Sequence, residues 1–320
     1  MVATAYLNAI GTAVPGHDIH QAFIGWARSQ ISDDRPRVLF DRMAKRAAID
    51  HRWSVLPPTA SGGSPVDSGG FYDVPGVPGT GARMARYAQE APRLAIAAIE
   101  HLASRTDIGG LTHFVVASCT GFVAPGIDQI IARQLGFAPS VERLLIGFMG
   151  CYAAVAAIRT ARHIVRSDPD ARVLVLCVEL STLHLQQTST IEPLLAMLQF
   201  GDGAAAALVT GTPGGFALGQ PFATTLPDSE ALIRWTLPTA ALRCICPAKY
   251  QAGSRQAWPM RISRGRQLAG GHRATLMAGR CMPGAAPSWT QWKTHWGLIR
   301  RGCWHRAGCW RIMAICRPRH

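Results

Sequence analysis

Residues 236–320 contain no Asp or Glu at all, yet they carry thirteen Arg and two Lys. Residues 1–235 hold 18 basic and 19 acidic side chains, so the net charge of +14 resides in the tail. The charge therefore does not mark the whole chain as a nucleic-acid binder. The same tail holds six of the nine Cys and six of the nine Trp, so two differently composed polypeptides meet near Trp235. Charged residues are scarce overall, at 16% against 48% hydrophobic, which excludes a disordered chain. Long apolar runs are missing too. The longest, Leu144 to Ile158, stops after 15 residues at Arg159, short of the ~20 a bilayer span needs. The opening MVATAYLNAIG has no basic segment of the kind that starts a secretory signal, so a cytoplasmic protein without a membrane partner is expected. At 320 residues and 34.4 kDa the chain can build one large or two ordinary domains.

Residues 1–235 read as alternating strands and helices. Strands are expected at Ala5–Val14, Leu111–Ala117, Val141–Gly147, Val173–Val178 and Gly203–Thr210. Helical spacing covers Asp18–Ile31, Arg86–Leu102, Asp128–Leu135 and an apolar stretch beginning near Cys151. Residues 54–80, rich in Pro, Gly and Ser, read as a surface loop. Continuously apolar strands alternating with helices indicate an α/β fold with a sheet buried on both faces.

Three clusters could carry chemistry. In Gly147-Phe148-Met149-Gly150-Cys151-Tyr152-Ala153-Ala154 a Cys stands at the start of an apolar helix, where the helix dipole favours a thiolate. A buried structural Cys fits the same spacing. Ser118-Cys119-Thr120-Gly121 follows a strand and could line a pocket, or simply turn the chain. Phe200-Gly201-Asp202-Gly203 reads as a tight turn before a strand. No Lys-Ser/Thr follows it, which excludes a phosphate-binding loop.

Taken in order, VASCTGFVAPGID, IGFMGCYAAVAAIRTARHIV, VLCVELSTLHLQ and FGDGAAAALV resemble the type III polyketide synthases. That family includes the chalcone and stilbene synthases and the bacterial alkylresorcinol and alkylpyrone synthases. The resemblance spans nearly all of residues 1–235 and makes them the N-terminal domain of a thiolase-like αβαβα fold. It implies a homodimer and an acyltransferase that extends an acyl-CoA starter with malonyl-CoA, using no bound cofactor or metal. It places the nucleophile at Cys151. Cys119, Thr120 and Phe200 match pocket positions, and Ala124 stands where relatives often carry a larger side chain. Arg46 and Arg52 lie in a basic stretch that could meet coenzyme A phosphates. His113, His163 and His184 match no catalytic position of the family.

The tail departs from the family. Cys244-Ile245-Cys246 and the trio Cys303, His305 and Cys309 lack the spacing of a structural zinc site. An Arg- and Trp-rich polyanion-binding tail is the alternative function that the charge suggests, without specific nucleic-acid recognition. The genetic code supplies another explanation. When each new codon takes the third base of one codon and the first two of the next, Pro238 to Ser254 can read DSGFAMHLSGEVPGRI. Likewise the stretch from Met277 through Gln291 and beyond can read GWAVHAGGRSILDAVE, and Trp310 to His320 can read ADYGNMSSAT. All three strings share one frame and resemble the family's C-terminal motifs. Its catalytic His then falls across the codons of Cys281 and Met282, and its Asn across those of Ala314 and Ile315. The expectation is a frameshift near Trp235 that leaves no native domain in 236–320 and no activity in this chain. Resequencing codons 225–245 checks this: one base gained or lost restores the family frame, whereas an unchanged frame leaves a disabled relative.

Overall fold

The computed structural model describes residues 3–75 and 77–223, and beyond them only the backbone of four short strands, Arg234–Thr236, Arg243–Ile245, Leu276–Met277 and Met313–Ala314. The expectations for 236–320 otherwise lie outside the described residues.

Chain order runs β1 (Tyr6–Ala13), β2 (His17–Asp18), α1 (His20–Ser29), α2 (Asp34–Ala47), β3 (Trp53–Ser54) and α3 (Thr80–Ala103). It continues through β4 (His113–Ala117), α4 (Ile127–Gln134), β5 (Glu142–Ile146), α5 (Ala153–Ser167), β6 (Arg172–Leu180), α6 (Ile191–Met197), β7 (Asp202–Thr210) and β8 (Phe216–Ala217). Six strands form one mixed sheet in the order β5-β4-β6-β7-β1-β8. β4 runs parallel to β5 and β6, while β7 is antiparallel to both β6 and β1. The parallel β4–β5 and β4–β6 pairs need crossovers, which α4 and α5 provide.

Successive side chains of a strand point to opposite faces, and both faces here meet helices. Leu174, Leu176, Val178 and Leu180 of β6 join a core with Phe114 and Val116 of β4 and with Tyr87, Ala91, Leu94, Ala95 and Ala98 of α3. Val173, Val175 and Cys177 face the other way, with Val115 and Ala117, onto Ala153, Ala154, Ala157, Ala161 and Val165 of α5. The alanines let α5 lie close against the sheet. This double burial is why the strands read as unbroken apolar runs. Helix, sheet and helix make three stacked layers, and the remaining layers of the expected αβαβα stack fall outside the described residues.

Two helices differ from the sequence reading. α3 begins at Thr80, six residues before the expected Arg86, and carries a buried Pro92 inside it. α2 was hidden because only Phe40 and Ala44 of its 14 residues are buried. Its outward face, with Arg35, Val38, Leu39, Arg42, Lys45 and Arg46 exposed, shows no apolar stripe.

Sheet and helix meet most tightly at Gly11 on β1. A Cβ there would overlap the backbone amide of Leu102 and the carbonyl of Ala98 on α3. Backbone atoms cannot turn aside as a side chain can. Gly11→Ala should therefore destabilise the fold by about 2–3 kcal/mol in urea or thermal unfolding, and a change within ~0.5 kcal/mol would contradict this packing.

Candidate active site

The C-terminal ends of β4, β5 and β6 lie side by side, with Ala117 paired to both Ile146 and Cys177. The segments that leave these strands carry the candidate residues. After β5 the chain turns through Phe148 (φ 54°) and Gly150 (φ 71°) into a single 3-10 turn, Gly150–Tyr152, and then into α5. Cys151 sits on that turn, exposed, two residues ahead of α5. A phenylalanine in the left-handed region costs on the order of 1–2 kcal/mol, and strain of this kind collects where geometry serves a function.

Beneath the turn lies Cys119, 6% exposed, its Sγ 3.9 Å from the Gly150 carbonyl. Burial pushes the Cys119 thiol up, and the neighbouring Glu179 carboxylate adds to the effect. Thr120 is buried beside it. Its hydroxyl donates to Glu179 Oε2 at 2.6 Å and accepts from the Leu180 amide at 2.8 Å. The Cys119 amide donates to both Glu179 oxygens, at 2.8 and 3.1 Å. Tyr87, from α3, pairs with the Ser118 hydroxyl at 2.6 Å.

Glu179 is the functional candidate that the sequence reading passed over. Its signal was a lone acid inside the apolar run VLVLCVEL. Half-buried at the end of β6, its carboxyl is pushed up to about 7 by desolvation, against the pull of the Thr120 and Cys119 hydrogen bonds. The charge of Cys151 raises it further, so carboxylate and thiolate disfavour one another.

His184 does not reach this chemistry as a base. Its Nε2 donates to the Thr120 carbonyl at 2.6 Å, and burial pushes its pKa down to about 4, leaving it neutral. His113 is held by Thr112 through Nδ1 at 2.8 Å, and His163 is exposed on α5.

Phe200 and Arg52 meet each other. The Arg52 Nε and Nη2 donate to the Phe200 carbonyl at 2.9 and 2.7 Å, and the guanidinium lies 4.4 Å from the Phe23 ring centroid. Arg52 is 2% exposed, which turns its guanidinium inward. Arg46, in the last turn of α2, is exposed. Ala124 is exposed on the loop that carries Cys119. On that same loop the Phe122 ring lies 6.4 Å from the ring of Phe148. Asp202 is a clamp: it accepts from the Val55 amide at 2.8 Å, the Thr182 amide at 2.7 Å and the Thr182 hydroxyl at 2.6 Å. Among the described residues no group of three or more His, Cys, Asp and Glu could hold a metal, and no helix is long and apolar enough to cross a membrane.

Residues 2–213 match the family described as chalcone and stilbene synthases, N-terminal domain. Two curated relatives, both named alpha-pyrone synthesis polyketide synthase-like Pks18, come from Mycobacterium tuberculosis and Mycobacterium bovis and are 36% identical over 123 residues. The alignment covers 36% of this chain and 31% of theirs, so the chain spans about a third of the length of the curated relatives it matches. Among solved structures, 1,3,6,8-tetrahydroxynaphthalene synthase from Streptomyces coelicolor A3(2), a bacterial type III polyketide synthase, superposes with a TM-score of 0.68. The two are 25% identical, over 78% of this chain and 70% of that one. The C-terminal type III polyketide synthase domain of Steely1 from Dictyostelium also gives 0.68, at 23% identity, over 77% of this chain and 68% of that one, a likeness of fold alone. These superpositions bear out the thiolase-like α/β fold.

The raised Glu179 carboxyl makes a signed prediction. Its folded pKa of about 7 lies above the ordinary 4.5, so stability falls as pH rises from about 4.5 through about 7. Asp202, raised to about 6 by burial, acts in the same direction over a lower window. His184, lowered to about 4 from 6.5, opposes both on the acid side. Comparing variants cancels these shared effects. Between pH 5 and pH 8, Glu179→Gln should lose less stability than the unsubstituted chain in chemical unfolding, and parallel losses would contradict the assignment.

Proposed function

Because this chain belongs to the chalcone and stilbene synthase family, we propose that its fold is built for a type III polyketide synthase reaction with Cys151 as the acyl-accepting nucleophile. The observation that carries this reading is the placement of Cys151, exposed on a strained turn ahead of α5 and over the Cys119–Thr120–Glu179 network.

In that reaction the Cys151 thiolate attacks the carbonyl of an acyl-CoA starter, and the coenzyme A thiolate leaves. A malonyl thioester then loses carbon dioxide, and the resulting enolate attacks the Cys151 thioester, which returns the thiolate. Two charges need stabilising, the thioester oxyanion and the enolate, and the thiolate needs a cationic or donating partner. Glu179 cannot be that partner, since its carboxylate repels the thiolate. Its role in this reading is to hold Cys119 and Thr120 in place beside the turn.

The donors belong to the family's C-terminal half. As read, residues 236–320 place no His or Asn where the shifted frame would encode them, at Cys281/Met282 and Ala314/Ile315. We therefore expect no product from this chain and activity from the chain with its frame restored. The homodimer and the coenzyme A contacts, Arg46 included, belong to the same proposal. Leu144 and Leu145 on the sheet-edge strand β5, with Phe148 and Tyr152 beside Cys151, stay 44–57% exposed, as surfaces awaiting partners would.

Incubating both chains with malonyl-CoA and a series of acyl-CoA starters tests this. Liquid chromatography with mass spectrometry should find a polyketide only with the restored frame, and Cys151→Ala should abolish it. Product formation that survives Cys151→Ala would overturn the assignment.

A further inference from the structure

Three cysteines, none in a disulfide, stand among the described residues, and all three gather at one end of the sheet. Cys177 lies on β6 opposite Ala117, Cys119 follows two residues after Ala117, and Cys151 is on the turn that leaves β5. Their environments differ. Cys151 is exposed, while Cys119 and Cys177 are each 6% exposed. Cys177 sits in the middle of a strand hydrogen-bonded on both sides, against the α5 layer, and cannot move without breaking the ladder. Cys119 is past the end of its strand, with its Sγ against the carbonyl of Gly150, the residue joined directly to Cys151.

We propose that Cys119 and Cys151 form a reversible disulfide when the protein meets a peroxide, with Cys151 as the thiol oxidised first and Cys119 as the thiol that resolves it. Peroxide oxidises the Cys151 thiolate to a sulfenic acid and is itself reduced, releasing hydroxide. The Cys119 sulfur then attacks the Cys151 sulfur. The S–S bond forms, the S–OH bond breaks, and the hydroxyl leaves as water with the Cys119 proton. Two thiols and one hydrogen peroxide become one disulfide and two waters.

Exposure sets the order of events, because peroxide reaches Cys151 and not the two buried thiols. Burial also keeps Cys119 and Cys177 protonated, Cys177 up to about 12, so neither competes as the first nucleophile. Bridging needs α-carbons within about 7 Å. The exposed turn at 148–152 is the part that can yield, since it belongs neither to the sheet nor to α5. A bridge here would stop Cys151 from passing on to the irreversible sulfinic acid, and a thiol reductant would return both residues. The proposal needs only these two thiols, so it stands apart from the condensation reaction.

The test uses the full chain, reduced, exposed to a few equivalents of hydrogen peroxide, alkylated and digested with trypsin. Cys119, Cys151 and Cys177 fall in separate peptides, 106–133, 144–159 and 173–234. Mass spectrometry should find 106–133 joined to 144–159, two hydrogens lighter than the sum, and separated again by dithiothreitol. In Cys119→Ser the sulfinic form of 144–159 should rise several-fold at the same dose. The unsubstituted chain decides the matter alone if that variant fails to fold. The proposal is overturned if 144–159 becomes sulfinic, or pairs with 173–234 or a tail cysteine, while 106–133 keeps its free thiol. Neither outcome depends on whether the chain makes a polyketide.

Discussion

One carboxyl group ties together the end of the sheet on which the candidate chemistry rests. Glu179 accepts hydrogen bonds from the Cys119 amide and the Thr120 hydroxyl, and Thr120 in turn accepts from the Leu180 amide and, through its carbonyl, from His184 Nε2. Four segments are thereby joined: the loop after β4, the end of β6, the 3-10 turn Ser181–His184 that follows it, and, through Cys119, the turn under Cys151. A carboxylate in this position is costly when charged, because it has lost much of its water and faces a second ionisable group. The hydrogen bonds offset that cost only in part, and its pKa remains raised. The fold accepts a pH-dependent loss of stability to keep this corner ordered.

The alternation of strands and helices was legible in residues 1–235 because both faces of the sheet are covered. β6 and β7 are apolar at nearly every position, so their type and limits were clear to within a few residues. α2 was not legible, since a helix that buries only Phe40 and Ala44 leaves no stripe to read. The start of α3 was masked by the Pro- and Gly-rich stretch before it, although Pro92 sits comfortably inside. Arg52 shows the limit of charge as a guide. An arginine in a basic stretch suggests a surface anion site, but this one is buried against Phe23 and spends its donors on the Phe200 carbonyl. Only tertiary structure could tell these apart, because the carbonyl it binds is 148 residues away.

Just past β8, the Leu218 amide donates to the Ala5 carbonyl at 2.8 Å and its own carbonyl accepts from buried Arg162 at 3.0 Å. The composition break near Trp235 follows shortly after. Around Cys151, among the described residues, the exposed rings of Phe148 and Tyr152 and the exposed Leu144 and Leu145 of edge strand β5 are apolar surfaces of the kind a protein normally covers.

The most direct measurement of this account is a carbon-13 NMR titration of the Glu179 side-chain carboxyl, in the unsubstituted chain and in Cys151→Ala. The account predicts a midpoint near 7 that moves down when the Cys151 charge is removed. A midpoint near the ordinary 4.5, unchanged by the substitution, would show that Glu179 neither lies in the enclosed network nor faces Cys151.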